Sequence, residues 1–451
     1  MNQTKDLDIL RSNAYIFKMS IPIFIELLLQ LLVGNIDQIM ISRYSANSVA
    51  AIVNGNQIIN IIIIVLNMMT MASTVILSQY LGANDYEHCN QTCTVSITII
   101  TIISGIATFI ILFFYHDIFH AMHISSDILE ESATYLCIVG GFTLIQGLYL
   151  NFAALLRGYT YMKQVMYISI FMNILNIIGN AILINGLFFF PQLGIMGAAI
   201  STVISKTIGL LLITFVFFKK TKVSINWGYL KHNSLQTFKK ILLIGFPSGT
   251  ESLSYQMSQI CILGIINSFG TVAIVTKGYS SILANFSYVY AIAIAQATQI
   301  IVGYLLGSKR ISDLEKRVWD TLKIAVGCCV GLSILLYLGS DTIFQIFNPS
   351  KEVLKLGKHL LFIEIFLEIG RAMNIVMTRM LICVGDVKTP MFFGISGHWL
   401  LAFLLSYVLG VKLELGLEGI WIAMAIDECT RGFIYLYTFK KNKWKKAFHF
   451  T

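Results

Sequence analysis

Charge is what this chain has least of. Asp, Glu, Lys and Arg make up 12% of its 451 residues, while 56% are hydrophobic. A soluble domain of this size needs a charged surface, so that class is excluded. Apolar runs of about 20 residues in series describe a polytopic helical membrane protein. Nucleotide-binding loops are lacking too, which argues against ATP-driven transport. No nucleophile–base set or phosphate loop is present, and the chain is read as a non-enzyme. The eight cysteines are scattered, most of them inside apolar runs. His88, Cys89 and Cys93 have no second ligand pair at zinc spacing, so the cysteines are treated as small apolar residues and no cofactor is expected. The first apolar run is too long for a signal-peptide core and no small-residue cleavage site follows it, so no cleaved leader is expected.

What is present is a series of twelve apolar runs. They cover roughly 15–41, 49–78, 92–115, 130–157, 165–188, 194–218, 238–266, 273–303, 320–340, 355–384, 391–411 and 416–438. The net charge of +9 would point to nucleic acid in a soluble protein. Here loop charge explains it. Lys and Arg gather at the N-terminus, in 219–240, around Lys309–Arg317 and in the tail, 23 on one side against 5 on the other. The positive-inside rule then places both termini in the cytoplasm, in a plasma membrane, with lipids and not nucleic acid as surroundings.

The chain also repeats itself. Pro22 and Pro247 are 225 residues apart, as are Glu26 and Glu251, Gly82 and Gly307, and Lys163 and Lys388. After a three-residue deletion, Gly194 and Gly197 match Gly416 and Gly419 at an offset of 222. Six runs per half keep both halves in the same orientation. The expected fold is therefore all-α, with twelve transmembrane helices in two six-helix lobes related by a pseudo-two-fold axis along the membrane normal. The expected domains are an N-lobe over 1–218, a cytoplasmic linker over 219–240 and a C-lobe over 241–451. Pro22 and Pro247 each remove a backbone hydrogen bond inside a span, so they are candidate conformational bends.

The polar residues inside the runs carry the functional signal. In the first run Glu26, Gln30 and Asp37 share one narrow helical stripe that lipid cannot solvate. An acid at membrane depth costs about 2.5–3.5 kcal/mol on insertion scales, so it calls for a function or a structural partner. In the fifth run Asn173, Asn176 and Asn180 form a second stripe. Asp37 with amide oxygens suits a hard cation such as Na⁺, or a carboxyl that takes and releases a proton. The bland alternative for the asparagines is interhelical hydrogen bonding, about 0.6–2 kcal/mol each. The counterpart of Asp37 in the second half is Ile262, and the asparagines map onto His398, Leu401 and Leu405. That half has its own polar set: Glu251, Ser254, Tyr255 and Ser258; Glu364, Glu368 and Arg371; and Asp427, Glu428 and Arg431. Their acid–Arg spacings read first as internal ion pairs. Lys206 either lies in the sixth run or snorkels from it.

These residues resemble a known family. Ser20 to Tyr44, with Pro22 and then GNIDQIMI leading to Asp37, is similar to the first helix of MATE (multidrug and toxic compound extrusion) transporters. SQYLGAND at 78–85, NIIGNAILI and GIMGAAIST continue the pattern in the first half. GFPSGTESLSYQMSQ, GYLLGSK, CVGDVKTP and GLEGIWIAMA continue it in the second. The resemblance implies two lobes around a cavity and efflux of organic cations or drugs, coupled to inward Na⁺ or H⁺, by a protein expected to work as a monomer. In one branch of the family the coupling site holds an Asp in the first helix and an Asn and an Asp in the fifth. The matching positions are Asp37, Asn176 and Asn180, the last an amide in place of an acid. In the other branch, acids in the seventh and tenth helices hold the ion. This chain has Tyr255 and Arg371 there, with Glu251 and Glu368 about one turn earlier, so the resemblance favours the first-half site. The alternative reading is a lipid or lipid-linked saccharide flippase of the same architecture, which would line its cavity with Arg or Lys.

Overall fold

A computed structural model of the chain describes residues 9–42, 44–188, 190–230, 234–345, 348–441 and 444. Lys231 of the basic linker and Lys443, Lys445 and Lys446 of the basic tail lie outside the described residues, as do Lys5 and Arg43. No strand occurs among the described residues. The apolar runs become twelve helical rods. These are α1 (Asn13–Ser42), α2 (Ala46–Gly82), α3 (Tyr86–Ala121), α4 in two pieces (Ser126–Gly141 and Thr143–Gly158), α5 (Met162–Asn185) and α6 (Gly194–Thr221). The second set is α7 (Ser234–Asn267), α8 (Thr271–Gly307), α9 (Ile311–Leu338), α10 (Lys351–Cys383), α11 (Lys388–Lys412) and α12 (Gly416–Lys440).

Local chemistry sets the ends of these rods. Ser45, Asp85 and Ser350 cap α2, α3 and α10 by accepting the backbone N–H three residues on. Eight of the rods are long and apolar enough to cross a membrane, and α4, bent by 45° at Phe142, makes a ninth. The three that fall short of this test are α7, α10 and α12. They carry Glu251, Glu364, Glu368, Arg371, Asp427, Glu428 and Arg431, so polarity and not length separates them from the rest. α11 departs from regular α geometry in two π-helical stretches, Gly397–Leu404 and Val408–Lys412, of the kind that accompany functional sites.

The repeat is visible in the backbone. Left-handed residues close the rods at matched places: Asn84 and Lys309 (φ 59° and 60°), His123 and Asn348 (52° and 47°), Thr160 and Gly385 (66° and 89°). Each pair is 225 residues apart. Gly194 and Gly416 (53° and 57°) follow at 222. The turn bonds repeat as well: Asp85 donates to the Tyr80 carbonyl and Arg310 to that of Leu305, both at 2.9 Å. A non-glycine residue in this region is uncommon, and two of the four pairs, Asn84 with Lys309 and His123 with Asn348, are non-glycine on both sides, so the coincidences mark a duplicated fold and not a shared composition.

The chain divides into two compact units, but not where the linear split at 218 and 241 would put them. One unit runs to Phe24 and resumes at Phe246; the other is Ile25–Gly245. The divisions fall inside α1 and α7, two residues after Pro22 and one before Pro247. In the first unit the start of α1 is tied down by Arg317, which donates to the carbonyls of Arg11 and Ser12 at 3.3 Å and to Asn13 Oδ1 at 2.8 Å. Arg11 pairs with Asp313 at 3.0 Å, and Ser20 meets Tyr290 at 3.3 Å. In the second unit the start of α7 is held in the same way. Ile241 joins the core of Leu66, Met69, Ala72, Val95 and Ile99, and Lys240 Nζ donates to Tyr80 at 3.1 Å.

Candidate functional site

Within Ile25–Gly245, α1 and α5 bring Asp37 and Asn180 together. Asn180 Nδ2 donates to Asp37 Oδ1 at 2.8 Å. Asn180 is buried, and its Oδ1 has no hydrogen-bond partner. A carboxylate beside a buried, unused carbonyl oxygen is what a hard cation or an added O–H donor would complete. Close packing of α5 on α6 sets this geometry: a Cβ on Gly197 would lie 2.6 Å from the Leu183 carbonyl oxygen, so only glycine admits the approach. Asn176, one turn before Asn180, turns its amide to Thr202 Oγ1 of α6 at 3.2 Å, and its own carbonyl accepts from Ser201. Asn173 has its Nδ2 buried without a partner. The asparagine stripe thus splits into one residue on the acid, one on α6 and one unbonded amide.

The other acid of α1 is not part of that cluster. Glu26 is buried and accepts from Arg157 at 2.6 Å. This is an ion pair between α1 and α4. Gln30, expected on the same stripe, is exposed. Around Asp37 the structure adds residues that the sequence did not single out. Tyr135 of α4 donates to Asn56 at 3.2 Å, and Thr202 receives the Asn176 amide. Neutral polar residues give no pattern in an apolar run, so only contacts could have found them.

In the other unit the polar residues form a larger network. Arg371 of α10 pairs with Glu364 at 2.7 Å and with Glu368, and its guanidinium lies 4.8 Å from the centre of the Tyr288 ring. Trp421 donates to the second oxygen of Glu364 at 2.8 Å, while Glu368 Oε2 is buried without a partner. On α12, Arg431 holds Asp427 by two bonds of 2.9 and 2.6 Å and Glu428 at 3.2 Å; Asn374 donates to Glu428 at 2.6 Å. Glu251 of α7 faces His398 Nε2 at 3.7 Å, and Tyr255 sets its ring edge-on to His398, 5.2 Å away. His398 sits in the first π-helical stretch of α11. The expected second polar cluster of Glu251, Tyr255, Glu368 and Arg371 therefore separates into a tight Arg371 group and a looser Glu251–His398 pair. Among the described residues no group of three His, Cys, Asp or Glu side chains is arranged to hold a metal ion.

Acids and amides at membrane depth, on a duplicated six-helix scaffold, define a membrane transporter. The MatE family model matches the chain twice, over residues 22–182 and 247–408, starting at the two prolines 225 residues apart. The chain is 34% identical over 429 residues to the uncharacterized transporter YisQ of Bacillus subtilis, covering 95% of this chain and 94% of that one. It is 24% identical over 441 residues to the probable multidrug resistance protein NorM of Thermotoga maritima, covering 96% and 93%. A crystal structure of MATE in the bent conformation superposes with a TM-score of 0.89 at 21% identity, covering 99% of both chains. The protein belongs to the MATE family of multi-pass membrane transporters.

Proposed function

We propose that the protein is a secondary antiporter of the plasma membrane, both termini cytoplasmic, that exports organic cations or drugs by alternating access as Na⁺ or H⁺ enters. The observation that carries this reading is the Asp37–Asn180 contact, an acid at membrane depth with no arginine on it among the described residues and a spare amide oxygen beside it. Binding of the coupling ion at Asp37 favours one arrangement of the N-terminal unit, and substrate release outward alternates with it. Four acids of the other unit are less suited. Glu364, Glu368, Asp427 and Glu428 all have arginine partners, and a paired acid must give up its partner before it can take an ion. Pro22 and Pro247, one or two residues from the unit divisions, are the bends about which the units would move. The test is efflux of an ethidium-type cation from proteoliposomes under separately imposed Na⁺ and proton gradients. Efflux driven by either gradient is expected. A folded protein that transports under neither overturns the antiporter.

The flippase reading draws on one observation, Lys206 on the lining of an apolar cavity within Ile25–Gly245. Against it, Arg371 and Arg431 are held by carboxylates and offer no free guanidinium to a phosphate.

A further inference from the structure

We infer that Glu251 and His398 form a second ion-carrying site, a carboxylate–imidazole pair that takes up one proton per cycle in addition to the ion exchanged at Asp37. The inference rests on the antiport reading above and adds a site to it.

The duplication carries the argument. Glu26 and Glu251 are the same acid in the two halves, each four residues after a proline. Glu26 is held by Arg157, a cation that keeps its charge at any working pH. At the repeat offset of 225, Arg157 maps onto Ile382, so the second copy of the acid has lost that partner. Among the described residues no arginine or lysine pairs with Glu251. Its Oε1 instead lies 3.7 Å from His398 Nε2, beyond hydrogen-bond reach, and its Oε2 accepts from Ser252 at 3.5 Å. A fixed cation in one half is replaced by a titratable base in the other.

The pair is built to gain and lose a proton. His398 is wholly buried within α11, and neither of its ring nitrogens has a hydrogen-bond partner. Glu251 keeps 20% of its side chain exposed, so a proton reaches the imidazole through the carboxylate. With the proton bound, Nε2–H donates to the carboxylate and the pair carries no net charge. With the proton gone, a carboxylate faces a neutral imidazole. Gly394, one turn before His398, admits the acid to this helix: a Cβ there would fall 2.6 Å from Glu251 Cγ. The π-helical stretch that starts at Gly397 gives α11 the local slack to close the gap.

The groups around the pair favour a proton there. From α7, Tyr255 sets its ring edge against His398. From α12, Arg431 lies close against α11, since a Cβ on Gly397 would fall 2.7 Å from its Cδ, but it already holds Asp427 and Glu428. That trio has one negative charge in excess, which draws a cation to the imidazole. Tyr435 of α12 also faces Glu251. Beyond Tyr255 stand Tyr288 of α8 and Arg371 of α10, the latter with two glutamates of its own.

The test reads the final concentration ratio of an ethidium-type cation, not its rate of transport. Full-length protein is reconstituted in proteoliposomes with the membrane potential clamped at zero. A tenfold proton gradient and a tenfold Na⁺ gradient are imposed together. Each coupling ion then multiplies the ratio by about ten, whichever ion Asp37 takes. Wild type is expected to reach about a hundredfold, and His398→Gln and Glu251→Gln about tenfold. A change that only disturbs packing slows the approach and lowers Tm but leaves the final ratio where it was. A folded variant of either residue that reaches the wild-type ratio overturns the inference. A wild-type ratio that stops at about tenfold overturns it as well, and that covers variants that do not fold. No accumulation by folded wild type under either gradient removes the antiport reading instead, and this inference with it. Asp37→Asn at the wild-type ratio removes Asp37 from the coupling and leaves the pair standing.

Discussion

In Ile25–Gly245 the acid at membrane depth, Asp37, meets an amide. In the other unit Glu364, Glu368, Asp427 and Glu428 are distributed over two arginines, and Glu251 faces a buried histidine. The scaffold is the same, down to left-handed turns 225 residues apart. Duplication therefore preserved the rods and turns while the charges diverged. One copy keeps an acid available, and the other binds most of its acids into internal pairs. The lesson is that a count of carboxylates does not locate a coupling site. The half with more acids inside its helices has most of them tied to arginine.

The comparison breaks most visibly if the arginines are removed. Arg431→Gln leaves Asp427 and Glu428 buried without their counter-ion, and Arg371→Gln does the same to Glu364 and Glu368. Each is expected to cost about 3–5 kcal/mol, read as a lowered Tm in detergent. Arg157→Gln tests a comparable pair in the N-terminal unit, with Glu26. It is expected to destabilise in the same manner without altering which ion drives transport. Gly370→Leu comes next. A Cβ there would fall on the backbone of Cys429, so the larger side chain forces α10 from α12. The expected loss is about 1–3 kcal/mol by thermal denaturation. Trp421→Phe removes the indole donor from Glu364, which keeps Arg371; about 0.5–1.5 kcal/mol is expected from the same measurement. Asp37→Asn should change Tm least, because the partner of Asp37 is an amide that can bond an amide equally well. The contrast between that small structural effect and a large loss of coupling sharpens the distinction between the units.

Much of this was legible in the sequence, for identifiable reasons. Long apolar runs mark spans because lipid offers backbone groups no partner, so all twelve rods could be read directly. The repeat showed through Pro-x-x-x-Glu and the glycines, which are tied to backbone conformation. The Glu364–Glu368–Arg371 and Asp427–Glu428–Arg431 groups were legible because each lies on one helix at helical spacing. Contacts distant in sequence were not. Glu26 and Arg157 are 131 residues apart, and nothing in either run announces the other. The unit divisions inside α1 and α7 depend on which unit each half-helix packs against, which a linear split at the basic linker does not capture. The bend at Phe142 carries no proline; the Gly140–Gly141 pair before it is its only mark in the sequence. His398 surfaced only as the counterpart of Asn173, and its place opposite Glu251 in a π-helical stretch required the fold.

The central claim is that the coupling acid lies in the N-terminal unit, and one experiment addresses it most directly. Wild type, Asp37→Asn and Glu251→Gln are reconstituted at matched, folded levels, and gradient-driven efflux of an ethidium-type cation is followed in each. Loss of a charge-assisted contact of about 1.5–3 kcal/mol corresponds to roughly a 10–100-fold fall. The account predicts that fall for Asp37→Asn, with Glu251→Gln within a few-fold of wild type. Coupled efflux that survives in Asp37→Asn and disappears in Glu251→Gln would contradict it.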